Sequence, residues 1–355
     1  MGFPQPKYPA SKLIKNAIFD KYRLHKGTGD MWPTTWADDD TIYAASGDIP
    51  GSVMNFWKAT GEPHFFRLDV AMINFAPVDA EFAKKLPDTH IHNNMKPAGL
   101  LFLNGKLYMT VSSMNYGEKE HYYRQRYPNC WIIISDDYGV TWDKLATPYD
   151  FFGGALCGPT FVQYGKNYAG ALDDYVYACF PCGYNGVSYW ENADCLLMGR
   201  VPADKILERG EWEFFAGDND WGRDDKNAKP IFEYPNMTGQ NFIQYNKGIG
   251  RYIMGNYSFM SEHGEPCPYH AGEFLGTNTK YPSQLTLYEA PDPWGPWACF
   301  HTDNNWGMYG GYQPSFPTKW MSKDGLTMHM VSSGSFDDYN FTVQKITLEL
   351  FESIG

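Results

Sequence analysis

Apolar residues in this chain come in short runs closed by glycine, proline or small polar clusters. Runs of that length, bounded by turn residues, read as β-strands. Five segments repeat one plan: a Pro- or Gly-marked start, an apolar strand, a tight polar turn, then a strand rich in Tyr or Met. They are residues 31–46, 96–112, 157–180, 239–257 and 313–333. In the second, Asn104-Gly105 separates Leu101-Phe102-Leu103 from Lys106-Leu107-Tyr108. Asn-Gly supplies the positive φ of a type I′ hairpin turn. Lys323-Asp324-Gly325 takes the same part in the fifth segment.

A second hairpin follows each first one. Ser135-Asp136-Asp137-Tyr138-Gly139-Val140-Thr141-Trp142 has the S-x-D-x-G-x-T-W pattern of an Asp-box. Its aspartate can bond turn amides while the tryptophan packs beneath. Looser counterparts lie at 285–297 and 196–215. Two hairpins per unit make a four-stranded blade, and five blades close a ring. The expectation is therefore one all-β domain, a five-bladed β-propeller with four-stranded antiparallel blades. The blades fall near 30–76, 96–149, 156–216, 238–300 and 312–351, after an N-terminal segment at 1–29. A β-sandwich competes, but five hairpin pairs without immunoglobulin-like spacing count against it. Helix is expected only as a turn or two at 80–85 and 202–209. Long loops between blades are where a site would be built.

Composition agrees with this pattern and narrows the partners. Aromatic residues are 17 % of the 355 positions and charged residues 20 %, a mixture suited to half-buried pleated surfaces. The formal charge is −12 with no basic stripe, which argues against nucleic acid. No apolar run is long enough to span a bilayer. The opening Met1-Gly2-Phe3-Pro4-Gln5-Pro6 carries no apolar signal segment. Seven cysteines are scattered, and Cys179-Phe180-Pro181-Cys182 stands alone as a C-x-x-C inside a strand-like run. That reads as buried thiols rather than a metal or redox centre.

The densest candidate chemistry lies at 29–48. A turn centred on Asp39 puts Asp30 and Asp48 nine residues to either side of it. Facing residues of an antiparallel pair lie ~4.5–5.5 Å apart and project to one face. Two carboxylates would then stand together at the mouth of the first inner hairpin. Such a pair suits glycoside hydrolysis, in which one acid protonates the leaving oxygen and the other attacks the sugar or activates water. Crowding raises one of the two pKa values. The plainer reading makes both of them solvated turn formers, as Asp38, Asp39 and Asp40 are expected to be.

Substrate-binding candidates at the blade mouths are Trp32, His92, Asn93, Lys96, Asp173, Asp194, Gln240, Trp306 and Gln313, with His90, Asp174 and Tyr312 beside them. Amides suit sugar hydroxyls, and aromatic rings can stack on sugar faces or simply pack in the core. His90-Ile91-His92 reads as polar surface. No catalytic metal and no cofactor is required, and a structural cation at the axis is the one metal role these histidines would suit. No G-x-S-x-G, P-loop, dinucleotide fingerprint or H-E-x-x-H occurs.

A series of short motifs resembles a known family. It runs from Tyr8-Pro9-Ala10-Ser11, Asp30-Met31-Trp32-Pro33-Thr34-Thr35-Trp36-Ala37-Asp38-Asp39 and Gly47-Asp48 to Lys96-Pro97-Ala98-Gly99-Leu100-Leu101. Tyr164-Gly165-Lys166-Asn167-Tyr168-Ala169-Gly170-Ala171, Glu213-Phe214-Phe215-Ala216-Gly217, Pro293-Trp294-Gly295-Pro296-Trp297 and Lys319-Trp320-Met321-Ser322 continue it. Together these resemble glycoside hydrolase family 183, which includes endo-D-arabinanases and was formerly a domain of unknown function. The resemblance implies a five-bladed propeller, with the catalytic acids on Asp30 and Asp48. Ile49-Pro50-Gly51-Ser52 stands where that family has a glycine-rich run. The resemblance thus implies a reaction type and not a D-arabinan substrate.

The expected function is an endo-acting glycosidase on a furanose- or uronate-containing polysaccharide, with Asp30 and Asp48 as the carboxylate pair. A polysaccharide lyase would instead use His92 or a tyrosine as base and a Lys or Arg against a uronate. A non-catalytic sugar-binding propeller is the third reading. All three share a carbohydrate partner, with neither nucleic acid nor membrane, and such a substrate favours an extracellular or periplasmic location.

Overall fold

The computed structural model describes residues 3–86, 95–114, 125–261, 263–266, 282–307, 311–333 and 339–352. Five antiparallel sheets stand side by side around an axis. The chain opens with β1 (Ile14–Lys26), whose partner comes last. Blade I is β2 (Asp30–Trp36), β3 (Ile42–Gly47), β4 (Met54–Thr60) and β5 (Asp69–Asn74). Blade II is β6 (Met95–Leu103), β7 (Lys106–Ser113), β9 (Asn129–Ser135) and β10 (Phe152–Gly153), with β8 (Arg126–Tyr127) joining the next sheet.

Blade III is β11 (Thr160–Phe161), β12 (Tyr175–Cys182), β14 (Ala193–Pro202) and β15 (Glu213–Gly217). It departs from four strands: β8, β13 (Ser188–Tyr189), β16 (Asp220–Gly222) and β17 (Phe232–Thr238) extend it to eight. Blade IV is β18 (Phe242–Asn246), β19 (Arg251–Phe259), β20 (Ser283–Ala290) and β21 (Ala298–Trp306). Blade V is β22 (Tyr312–Ser315), β23 (Thr327–Ser333) and β24 (Phe341–Leu350), completed by β1. Much of the N-terminal segment expected to precede the blades is therefore a strand of the last one. Without β1, the long β24 would be an unpaired edge, and pairing it joins the two ends of the chain.

The turns form as their residues dictate. Asn104 and Gly105 take φ of 51° and 78° and close the β6–β7 hairpin. In the Asp-box, Ser135 Oγ donates to Asp137 Oδ1 at 2.8 Å, and Asp137 accepts from the Thr141 amide at 2.8 Å. Trp142 then packs edge-on against Phe56 of blade I, with ring centroids 4.9 Å apart. Gly139 (φ +88°) lies so close that a Cβ there would meet the Phe56 ring at 2.0 Å. The motif thus ties two blades together. One short helix, α1 (Ala80–Ala83), is capped by Asp79, which accepts from the Phe82 amide. Residues 202–209 hold turns instead of helix, with a single 3-10 turn at Arg209–Glu211.

The first strands of neighbouring blades touch, β2 with β6, β6 with β11, β11 with β18, β18 with β22, and β22 with β2. Side chains bridge the gaps: Thr35 Oγ accepts from the Phe102 amide at 2.9 Å, and Gln163 Nε2 donates to the Leu100 carbonyl at 2.8 Å. Gln163 and Gln244 form a parallel bridge, so these two inner segments run the same way. Asp30, Met95, Thr160, Phe242 and Tyr312 therefore begin their strands at one end of the ring. The site is built there.

Candidate functional site

Asp30 begins β2, and its register is not the one a simple turn count predicts. Near the turn Trp36 opposes Ile42 and Thr34 opposes Ala44, as centring on Asp39 requires. A bulge then intervenes, with Met31 and Trp32 at φ of 82° and 50°. One extra residue on one strand slips the pairing by one. Asp30 consequently faces Gly47, and Asp48 follows the strand end at φ 56°. The expectation that Asp30 and Asp48 oppose each other directly is corrected to that extent.

A lysine joins them instead. Lys96, second residue of β6 on blade II, reaches Asp30 Oδ1 with Nζ at 3.4 Å and also forms an ion pair with Asp48 Oδ1. The Lys96 and Asp30 side chains are 4 % and 6 % exposed, whereas Asp48 is 39 % exposed. Tyr312, first residue of β22, donates its hydroxyl to Asp30 Oδ2 at 2.9 Å. Gly47 makes the arrangement possible, since a Cβ there would meet Asp30 Oδ1 at 2.9 Å and Lys96 Cδ at 3.0 Å.

Burial dominates the electrostatics of Asp30. Desolvation pushes its carboxyl up, the Lys96 ammonium pulls it down, Asp48 pushes it up again, and the Tyr312 hydrogen bond lowers it; the result is about 6. A carboxylic acid held there can carry a proton close to neutral pH.

Around the pair runs a relay of amides. Gln240 Nε2 donates to the Gly158 carbonyl at 2.9 Å. Its Oε1 accepts from the Tyr127 hydroxyl at 3.1 Å and from Gln313 Nε2 at 2.6 Å. Gln313 Oε1 is buried without a hydrogen-bond partner among the described residues. The Tyr257 hydroxyl donates to the Trp190 carbonyl at 2.7 Å, and the Trp190 ring meets Tyr312 edge-on at 5.5 Å. Glu191 is wholly buried and accepts from the Gln125 amide at 3.3 Å.

Of the residues expected to meet substrate, Lys96, Gln240 and Gln313 gather with the aspartates at this end. Trp32 does not, because the bulge turns it into the seam between blades I and V. There it is fully buried against Trp57 and Phe341. Asp173 sits in the β11–β12 connection at the opposite end of its blade, bonded to the Tyr175 amide and the Tyr177 hydroxyl. Asp194 is buried and ties a turn to strand β17 by accepting from the Tyr184 and Asn236 amides, each at 3.0 Å. Trp306 is buried and covers Gly311. His90, His92 and Asn93 lie outside the described residues. Among the described residues no group of three or more His, Cys, Asp or Glu side chains could hold a metal ion.

The Tyr312 bond to Asp30 and the cradle at Gly47 were not legible as site features. Tyr312 lies 282 residues from Asp30 in the chain, so no local spacing marks it. Tyr312 stood out only as a ring that could stack on a sugar face, and Gly47 only as the residue preceding Asp48.

One solved structure shares this architecture. The β-xylosidase RS223 superposes over 95 % of this chain and 97 % of its own, with a TM-score of 0.50 and 11 % identity. The endo-arabinase of Bacteroides thetaiotaomicron VPI-5482 aligns over 92 % and 96 %, at a TM-score of 0.47 and 12 % identity. At such identities the first likeness speaks for the propeller fold alone. No curated protein matches the sequence. A family model matches residues 57–265, more than half of the chain, and by that match the chain belongs to the family described as Domain of unknown function (DUF4185).

Proposed function

We propose that this propeller is a glycoside hydrolase that cuts within a polysaccharide, arabinan-like or otherwise rich in furanose or uronate units, using Asp30 and Asp48. One observation carries the reading: two carboxylates share one ammonium at the end of the ring where the inner strands begin, one of them buried and the other open. Burial raises Asp30 to about 6, which fits it for carrying the proton to the leaving oxygen. Asp48, with its more exposed side chain, fits the anionic role of attacking the sugar or activating water. The motif resemblance to glycoside hydrolase family 183 supports the same two residues. The fold shared with a β-xylosidase supplies a scaffold and leaves the chemistry to the site.

Lys96 is enclosed between the aspartates rather than offered to solvent, which disfavours its use against a uronate in a lyase reaction. The test is a screen of plant, algal and mycobacterial polysaccharides for released oligosaccharides. Asp30→Asn and Asp48→Asn should each lose ~10² or more in kcat, as loss of a general acid or base does, with circular dichroism unchanged. Wild-type rates in either variant reject the assignment. Saturable glycan binding without new reducing ends would identify a binding module instead.

A further inference from the structure

We propose that Lys96 is a positioning residue of this site, the cation that holds Asp30 and Asp48 in one working geometry, rather than a group that contacts substrate. The inference rests on the hydrolase reading for its kinetic consequences and on geometry for its structural ones. Taking an ammonium out of water is costly unless well-placed partners offset the loss of hydration. Lys96 is 4 % exposed, and two carboxylates from the neighbouring blade compensate it. It arrives from β6, whereas both aspartates belong to the first hairpin, so the contact also locks blade II to blade I at the mouth of the ring.

The ammonium engages Oδ1 of Asp48 as well as Oδ1 of Asp30. It also stands against the repulsion that two anionic carboxylates would exert on each other. Gly47 leaves room for this and nothing more, because a Cβ there would meet Lys96 Nζ at 3.1 Å. The groups facing Asp30 are Lys96 from β6, Asp48 after β3 and Tyr312 from β22, with the Tyr127 and Tyr257 rings farther out.

A merely structural ion cluster predicts a different result from a positioning one. Removing only the cation of a buried pair leaves a carboxylate unpaired, a cost that Asp30 can relieve by taking up a proton, while Met keeps the length and packing of the side chain. Lys96→Met should therefore fold, yet lose ~10² in kcat with KM changed less than ~3-fold. In Lys96→Ala, ethylamine or propylamine should restore a measurable part of kcat, while sodium chloride at equal ionic strength should not. Wild-type kcat in Lys96→Met overturns the proposal, as does a loss confined to KM, or a folded Lys96→Ala that no amine rescues.

A substrate-free arm separates this from the function itself. Carbon-13 NMR titration of Asp30 in Lys96→Met should show its midpoint moved upward relative to the wild type. An unmoved midpoint overturns the positioning role. A moved midpoint in a protein that releases no sugar from any polysaccharide upholds the role and rejects the hydrolase.

Discussion

Asp30 and Asp40 stand at opposite ends of the same hairpin, and each is paired with lysine. Asp40 lies in the β2–β3 turn, where Lys319 bonds it at 3.0 Å and Lys166 approaches within 3.5 Å. The Lys319 hydrogen bond is the largest influence on it and holds its carboxyl below the ordinary range. Asp30 meets Lys96 at 3.4 Å, yet its carboxyl rises to about 6 because burial outweighs the cation. The same pair of residue types gives a turn-former in water and an acid near neutrality inside the ring. The difference is solvent, and solvent access is set by which end of β2 a residue occupies.

The strongest way to break this comparison is kinetic. Asp30→Asn should lose ~10² or more in kcat, whereas Asp40→Asn should keep wild-type turnover on the same polysaccharide. Equal losses, or none, would mean that burial has not singled out one end of the hairpin.

Gly47→Ala probes the cradle with less force. The added methyl would touch Asp30 Oδ1 and Lys96, both ends of side chains that can give way. The fold should survive, and kcat should fall roughly 10-fold or more, because small misplacements of reacting groups are expensive. Unchanged kcat in Gly47→Ala would show that the carboxylate positions are loosely held.

Stability sharpens the contrast through its sign. Asp30 has a folded pKa above its unfolded value, so its contribution is present at low pH and is lost as pH rises from about 4 through about 6. Removing it should therefore help more at pH 7.5 than at pH 4.5, by roughly 1–3 kcal/mol between the two. Asp40 has a depressed pKa, so its contribution is present above the unfolded value and is lost as pH falls. Asp40 is well exposed, and solvent screening should keep the effect of Asp40→Asn to about 0.5 kcal/mol or less. Thermal melts of both variants across this range test both signs, and parallel pH trends would contradict the burial argument.

The repeat pattern made most of the fold legible. Asn104-Gly105 needs positive φ and finds it, and the Asp-box at 135–142 makes the bonds its spacing implies. Such features are local, since a turn residue's preference acts within a few positions of itself. The eight strands of blade III were not legible, because β8, β13 and β16 are pieces of two or three residues and β17 pairs with β14 across a long stretch of chain. Trp32 was misplaced for a related reason. A strand pattern assigns faces by alternation, and a bulge with two positive φ values reverses that assignment without any glycine to announce it.

By itself the amino-acid order determined most of the strands, their turns and the nearness of Asp30 to Asp48, since each follows from backbone preferences and hairpin counting over short distances. Only tertiary structure decided what those carboxylates are. Closure of the ring brought Lys96 from blade II and Tyr312 from blade V onto Asp30, and it removed the water that would otherwise have kept Asp30 an ordinary carboxylate. Desolvation and cross-blade contact arise from packing between segments distant in sequence, so no local pattern can encode them legibly.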